Sequence, residues 1–223
     1  MPNLKYLGHS CFLLSANNIK IIFDPFLTGN PANIMQANEV NPNYILVSHA
    51  HGDHLGDGIE IAKRTGATAI STFEVANLFI EEGCNAHGMH LGGKYNFDFG
   101  SVKIVPAFHG SGVAGGHACG FVVDFFGTKI YFAGDTCLFG DMMLIGKLGI
   151  EYALIPIGDN FTMGPEDALS AVKLIHPKVV IPMHYNTWPL IAQDPKAFEE
   201  KINSFCTTKV EIMNPGDNLD IIF

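Results

Sequence analysis

Three histidines and one aspartate lie within six consecutive residues of this chain, in the segment His49–His54 (HAHGDH). Imidazole and carboxylate groups are the ligand types that hold Zn²⁺, Mn²⁺ or Fe in proteins. The segment follows the apolar run Tyr44–Ser48, which predicts a buried strand, and precedes a predicted helix, Gly56–Thr65. Sheets of α/β proteins bind their ligands at the carboxyl ends of strands. A polar loop with surface histidines is the alternative, but composition alone rarely clusters four ligand side chains in this way.

Three further ligand candidates lie just past apolar runs that predict strands. They are His109 after Val102–Pro106, Asp135 after Lys129–Ala133, and His184 after Val179–Pro182. The four ligands of the HAHGDH segment cannot all close on one ion without strain. We therefore predict two divalent metal ions that share ligands from elsewhere in the chain. Zn²⁺ is the first expectation, with Mn²⁺ or Fe as alternatives, because imidazole and carboxylate suit all three.

Each half of the chain begins with short runs typical of strands and continues with strands that alternate with helices. The other predicted strands are Leu4–Tyr6, Cys11–Leu14, Ile19–Phe23, Ala67–Ser71, Tyr95–Phe99, Gly120–Phe125, Tyr152–Pro156, Val210–Met213 and Leu219–Ile222. The other predicted helices are Phe73–Glu82, Pro165–Ile175 and Pro195–Phe205. This pattern indicates an α/β fold, an αββα sandwich of two packed mixed β-sheets with helices on the outer faces. At this length we expect one domain spanning residues 1–223.

The composition narrows the class of partner. The net charge is −9 and Arg64 is the only arginine, so the basic surface that nucleic acids require is missing. No apolar run approaches the roughly 20 residues of a membrane-spanning helix, and Met1–Tyr6 does not resemble the start of a signal peptide. We expect a cytoplasmic protein that acts on a small molecule, without nucleic-acid or membrane partners; association into a homo-oligomer stays open.

The order of the candidate ligands resembles the metallo-β-lactamase superfamily, which carries H-x-H-x-D-H after a strand and then a lone His, a lone Asp and a final His. The resemblance implies two ligand sets joined by a bridge: His49, His51 and His109 for one metal, Asp53, His54 and His184 for the other, and Asp135 between them. An aspartate at position 135 is similar to the glyoxalase-II type.

Further segments resemble one little-characterised bacterial and archaeal family of metal-dependent hydrolases that is related to ascorbate-6-phosphate lactonase. These segments, which span essentially the whole chain, are Leu7–Phe12, Asp24–Phe26, Gly134–Thr136, Ile157–Ala168 and His184–Thr187. The resemblance implies a hydrolase that uses a hydroxide activated between two metals to cleave a lactone, thioester or phosphodiester bond. A metal-dependent nuclease, a di-iron redox protein and a non-catalytic metal-stabilised module are the alternatives. The acidic composition disfavours the first, and no glycine-rich flavin-phosphate loop supports the second.

Two residues are candidates for catalysis beside the metals. Asp53 is expected to orient the nucleophile and accept its proton. His9 is either a hydrogen-bonded structural histidine or a proton donor near the metals. Two of the substrate-binding candidates have an alternative role. His117 is expected first to be a loop residue, and Asp159 is equally a cap for the turn before Pro165. The complete set of substrate-binding candidates is Asp159, Thr162, Asn186 and His117.

Overall fold

Two seven-stranded sheets pack face to face in the computed structural model, which describes residues 2–221. In spatial order, the first sheet consists of β14 (Asn218–Asp220), β1 (Asn3–Gly8), β2 (Cys11–Ala16), β3 (Ile19–Phe23), β4 (Tyr44–Leu46), β5 (Thr68–Thr72) and β6 (Ala86–Met89). The second sheet consists of β13 (Lys209–Val210), β12 (Val179–Met183), β11 (Tyr152–Pro156), β10 (Thr128–Phe132), β9 (Cys119–Phe125), β8 (Gly100–Pro106) and β7 (Lys94–Phe97).

Both sheets are mixed, as predicted, and their strand directions bring several loops to one edge. The strands from β14 to β3 pair antiparallel, and those from β3 to β6 pair parallel. The strands from β7 to β10 pair antiparallel, and those from β10 to β13 pair parallel. Strands β1, β3 and β4 therefore end at the same edge of their sheet, and β8, β10 and β12 do the same in theirs.

Alternation along the strands assigns side chains to two different apolar layers. Ile21 and Phe23 of β3 belong to the core that both sheets share, whereas Ile22 packs with the helices on the outer face. The rings of Phe23 and Phe132 stack across the two sheets with centroids 5.0 Å apart. The outer layer of the first sheet is closed by Ile61 and Phe79, both fully buried.

Helices cover both outer faces, which confirms the predicted αββα sandwich. They are α1 (Gly52–Leu55), α2 (Gly58–Thr65), α3 (Phe73–Glu81), α4 (Met142–Gly146), α5 (Pro165–Ile175) and α6 (Pro195–Phe205), with 3₁₀ helices at Ala37–Glu39 and Pro189–Ile191. Proline begins both α5 and α6, where its missing N–H is not needed. Between residues 2 and 221, none of the helices combines the length and apolar character that crossing a bilayer requires.

The structure differs from the sequence prediction mainly around the HAHGDH segment. Strand β4 ends at Leu46 rather than Ser48, because the Ser48 N–H donates to Asp24 Oδ1 (2.7 Å). The predicted helix Gly56–Thr65 begins two residues later, at Gly58, because the φ of Gly56 (42°) is not helical.

Smaller differences concern individual helices and strands. Helix α1, strand β6 and helix α4 were not predicted, and β13 and β14 are shorter than the expected Val210–Met213 and Leu219–Ile222. Ile222 lies outside the described residues, as do Met1 and Phe223 of the predicted single domain.

Candidate metal centre

The predicted metal ligands meet at one edge of the sandwich, where strands of both sheets end. Four of the candidate ligands lie within three residues of the end of a strand: His49 after β4, His109 after β8, Asp135 after β10 and His184 after β12. Gly134 allows the loop after β10 to lie close to the loop after β4 in the other sheet. Its φ is +61°, and an added Cβ would lie 2.8 Å from the Ser48 Cβ. Strand ends therefore place ligands from distant parts of the sequence side by side.

Three imidazoles form the first group. The ligating nitrogens of His49, His51 and His109 lie within 4.8 Å of one another. His49 Nε2 is 3.0 Å from His51 Nδ1, and the His109 ring is 5.0 Å from that of His49, centroid to centroid. These three residues are the set that the family resemblance implies for one metal.

Asp135 lies at the centre of the cluster. Its Oδ2 is 3.3 Å from His54 Nε2, 3.2 Å from His184 Nε2 and 3.5 Å from His109 Nε2. Two donors that each bind zinc tetrahedrally at 2.0–2.1 Å are separated by about 3.4 Å. The observed separations match that spacing, so this oxygen and the three imidazole nitrogens are spaced as ligands of a metal ion.

The second group contains Asp53, His54 and His184, and it also includes His9. One ligating atom from each of the four lies within 4.8 Å of the others. Asp53 Oδ2 is 3.7 Å from His54 Nε2 and 3.9 Å from His184 Nε2. The His9 Nε2 is 3.3 Å from the same oxygen. This geometry makes His9 either a further ligand or the residue that positions Asp53.

Hydrogen bonds favour the positioning role for His9. A carboxylate only accepts, so Nε2 donates to Asp53, and Nδ1 accepts from the Thr187 hydroxyl at 2.7 Å. Burial lowers the pKa of His9 to about 4, although the hydrogen bond to Asp53 opposes that effect. The ring is therefore neutral at pH 7, with both nitrogens engaged.

Asp24 holds two of the candidate ligands from behind. Its buried carboxylate accepts from the Ser48 N–H and hydroxyl at 2.7 and 2.6 Å, and from His54 Nδ1 at 2.7 Å. Because the Ser48 hydroxyl donates to Asp24, it accepts from His49 Nδ1 at 2.9 Å. Both contacts favour the tautomer with the proton on Nδ1, which leaves Nε2 for a metal. The Nε2 of His54 faces Asp135, and that of His49 faces His51.

The electrostatics of the cluster call for positive charge. Burial alone would raise the pKa of Asp135, but His54 and His184 hold it well below its usual range. Burial alone would lower the pKa of His54, yet Asp135 and Asp24 raise it well above its usual value. Burial lowers the pKa of His49 to about 2, so that ring is neutral. Buried carboxylates of this kind require a proton or a metal cation between them.

Buried polar atoms without a partner give a direct test of whether metals fit. Such atoms are costly to bury unless something satisfies them. His54 Nε2, His184 Nε2 and Asp135 Oδ1 are buried and have no hydrogen-bond partner. All three belong to residues of the cluster, and imidazole nitrogen and carboxylate oxygen are the donors that Zn²⁺ takes. The residues present therefore fit the divalent metals that the sequence predicted.

A cavity of about 280 Å³ opens over this centre. Its wall includes five of the candidate ligands and two aromatic residues: His51, Asp53, His109, Asp135, His184, Phe161 and Trp188. Asp53 is the more accessible carboxylate, with 28% of its side chain exposed against 3% for Asp135. A small substrate in this cavity would meet Asp53 and the metal centre together.

Comparison with known proteins identifies the family of this chain. Residues 3–184 match the model of the Beta-lactamase superfamily domain. A UPF0173 metal-dependent hydrolase from Desulforamulus reducens is 53% identical, and the match covers 98% of this chain and 99% of the relative. This chain belongs to the UPF0173 metal-dependent hydrolases of the beta-lactamase superfamily. It is a metal-dependent hydrolase with the metallo-β-lactamase fold.

Solved structures show the same fold. The metallo hydrolase Igni18 from Ignicoccus hospitalis is 37% identical, with a TM-score of 0.93 over 100% of this chain and 99% of that one. The diiron β-hydroxylase CmlA from Streptomyces venezuelae is 12% identical, with a TM-score of 0.77 over 99% of this chain and 54% of that one. At 12% identity the second similarity shows the fold alone.

The four substrate-binding candidates do not line the cavity of this UPF0173 hydrolase. Asp159 accepts from the Asn160 N–H (2.8 Å), and Asn186 accepts from the Gln193 N–H (2.8 Å). The Thr162 hydroxyl donates to a backbone oxygen, and His117 is exposed on its loop. The side chains of Asp159, Thr162 and Asn186 therefore form local hydrogen bonds in the loops around the site.

Sequence reasoning missed the residues that do contact the ligands or the cavity. Asp24 and Thr187 lie in segments that resemble the family, and Trp188 directly follows one of them, but nothing local marks their roles. Asp24 is 30 residues from His54 and Thr187 is 178 residues from His9. Only the sheet pairing that joins these segments reveals the contacts.

Proposed function

We propose that this hydrolase binds two divalent metal ions, Zn²⁺ first, and cleaves an ester-like bond in a small metabolite. The proposal rests on one observation, the convergence of seven donor side chains, which are Asp135 and two sets of three residues beside it. One set is His49, His51 and His109, and the other is Asp53, His54 and His184. Seven ligands are too many for one tetrahedral ion.

The chemistry divides between the metals and the chain. When bound, two such cations lower the pKa of a shared water and polarise the substrate's oxygen. Asp53 faces the cavity and is positioned to orient the attacking water and to accept its proton. His9 donates to Asp53 and so holds that carboxylate in place. In the overall reaction, water gives OH to the acyl carbon or phosphorus and H to the leaving oxygen or sulfur.

The substrate is proposed to be a small molecule rather than a polynucleotide. The net charge of −9 repels a polyanion at long range. The guanidinium of Arg64 already donates to Asn41 Oδ1 and to the backbone oxygens of Ala37 and Val40. It is therefore not available to hold a phosphate chain.

The test is a screen of metal-reconstituted protein against lactones, thioesters and phosphodiesters, beside RNA and single-stranded DNA. We expect turnover of at least one small substrate, its loss in Asp135→Asn, and its retention in Asp167→Asn. Asp167 is the matched control, because its carboxylate is exposed on α5, outside the cavity wall.

Two results would contradict the proposal. One is turnover that survives in Asp135→Asn. The other is metal-dependent cleavage of RNA or DNA together with binding that weakens steeply as salt rises, which would restore the nuclease alternative.

A further inference from the structure

Two aromatic rings form the part of the cavity wall that the candidate ligands do not. Phe161 and Trp188 are 52% and 37% exposed, although side chains of this size are usually buried. They lie beside the metal centre, in the wall that holds Asp53 and His184. Exposed aromatic surface beside polar catalytic groups is typical of a ligand pocket.

Trp188 is held in a defined position. The Ile191 N–H donates to the Trp188 carbonyl (3.1 Å), and the Asn186 N–H donates to the Ile191 carbonyl (2.9 Å). The Ile191 side chain is fully buried and anchors this turn. The indole meets the His9 ring edge-on, with centroids 5.0 Å apart. Because the ring is fixed before a substrate arrives, little conformational freedom is lost on binding.

Phe161 lies on a second anchored turn. Its two predecessors, Asp159 and Asn160, have left-handed backbone with φ of 62° and 49°. The Asp159 N–H donates to the Met163 carbonyl (3.1 Å), and the Met163 N–H donates to the Thr136 carbonyl (3.0 Å). Thr136 directly follows Asp135, so the turn that carries Phe161 is tied to the centre of the metal cluster.

The cavity wall carries no positive side chain. No lysine or arginine is among the described residues that line it, and two of those that do are aspartates. The metals would neutralise charge at the reacting bond only. An anionic group farther along the substrate would face aromatic rings, without the arginine or lysine that usually holds a carboxylate or phosphate.

We propose that Trp188 and Phe161 determine specificity for a neutral carboxylic ester, lactone or thioester that carries an apolar, preferably aromatic, group next to the reacting bond. The apolar group lies against the two rings while the reacting carbonyl faces Asp53 and the metal centre. This inference rests on the proposed function and narrows it to acyl substrates without a distal anionic group.

The kinetic test uses zinc-reconstituted full-length protein and esters that differ in one group. Ethyl acetate is compared with ethyl phenylacetate, benzyl acetate and monoethyl succinate, each rate being divided by its uncatalysed rate. We expect an aromatic ester to be preferred over ethyl acetate, and monoethyl succinate to be the poorest substrate. Trp188→Ala should lower the ratio of kcat/KM for the aromatic ester to that for ethyl acetate about tenfold, mainly through KM.

Ratios separate specificity from damage to the site, because a displaced His9 or Asp53 would slow all esters alike. Trp188→Phe should restore most of the ratio, and Phe161→Ala should lower it. Phe205→Ala is the matched control, since this exposed ring on α6 lies over Lys173 and outside the cavity wall. An unchanged ratio in both Trp188→Ala and Phe161→Ala, or preference for monoethyl succinate, would overturn the inference.

A binding measurement keeps the inference testable apart from turnover. Trp188 is the only tryptophan of the chain, so its fluorescence reports ligands in this cavity. Phenylacetamide should change that fluorescence saturably, and at lower concentration than acetamide or succinamate. If no ester, lactone or thioester is hydrolysed but phenylacetamide binds selectively, the proposed function fails and the aromatic wall stands. If the esters are hydrolysed without discrimination between them, the proposed function stands and the inference about Trp188 and Phe161 fails.

Discussion

Asp24 offers a test of the hydrogen bonds that orient the metal ligands, through the substitution Asp24→Asn. The carboxylate receives the Ser48 N–H on Oδ1, and both the Ser48 hydroxyl and His54 Nδ1–H on Oδ2. An asparagine cannot reproduce this pattern. If the asparagine NH₂ takes the place of Oδ2, it faces His54 Nδ1–H, and two donors cannot form a hydrogen bond. If the NH₂ takes the place of Oδ1, it faces the Ser48 N–H, which is also a donor.

The consequence falls on metal affinity. In the first orientation His54 must move its proton to Nε2, which removes the lone pair that faces Asp135. Loss of one such supporting contact weakens metal binding about 10- to 100-fold, which corresponds to about 1.4–2.8 kcal/mol. We expect Asp24→Asn to lower the affinity of the tighter zinc site at least about tenfold, because the substitution disturbs His54 and, through Ser48, His49.

The assay is a zinc titration in competition with a chromogenic chelator, at a pH where the wild type binds tightly. Asp57→Asn is the matched control. The Asp57 carboxylate is also buried, but its Oδ2 receives the Leu27 and Thr28 N–H groups (3.0 and 2.8 Å), which an amide oxygen can accept equally well. Zinc affinity that is the same in Asp24→Asn as in Asp57→Asn would refute this reasoning.

Two other predictions concern catalysis and packing. Asp135→Ala should abolish detectable hydrolysis and lower metal content, whereas His9→Ala should keep its metals and lose about 10²–10⁴-fold in rate. Elemental analysis measures the metal content and kinetics the rate. Equal rate losses, with metals retained in both variants, would show that the roles are misassigned. The Tyr131 hydroxyl is fully buried without a hydrogen-bond partner, so Tyr131→Phe should raise the free energy of unfolding by about 1–3 kcal/mol. Tyr6→Phe is its control, because the Tyr6 hydroxyl donates to the His9 carbonyl (3.0 Å) and its loss should destabilise the fold. Melting temperatures of the metal-free variants that change in the same direction would contradict this prediction.

The sandwich and the ligand set could be predicted because their signals are local. Each candidate ligand follows an apolar run, and strand ends of one direction meet at one edge of a sheet. His109, Asp135 and His184 are far apart in sequence, yet each was identified from its own strand. The same reasoning failed for helix α1, since its single turn lies inside the HAHGDH segment and has no apolar period of its own.

The remainder of the site depends on contacts between distant segments. The bond from His54 to Asp24 exists because β3 and β4 pair in parallel, and the bond from His9 to Thr187 crosses between the two sheets. Polar residues of turns were favoured for substrate binding, but the cavity wall uses the neighbouring aromatic residues Phe161 and Trp188. Polar type alone did not distinguish a side chain that holds a turn from one that faces the cavity.

A crystal structure of zinc-reconstituted protein, with anomalous data at the zinc edge, tests the proposed two-metal centre bridged by Asp135. We expect two zinc peaks per chain, one beside His49, His51 and His109, the other beside Asp53, His54 and His184, with the Asp135 carboxylate between them. A single fully occupied zinc site, with Asp135 turned away from it, would contradict this expectation.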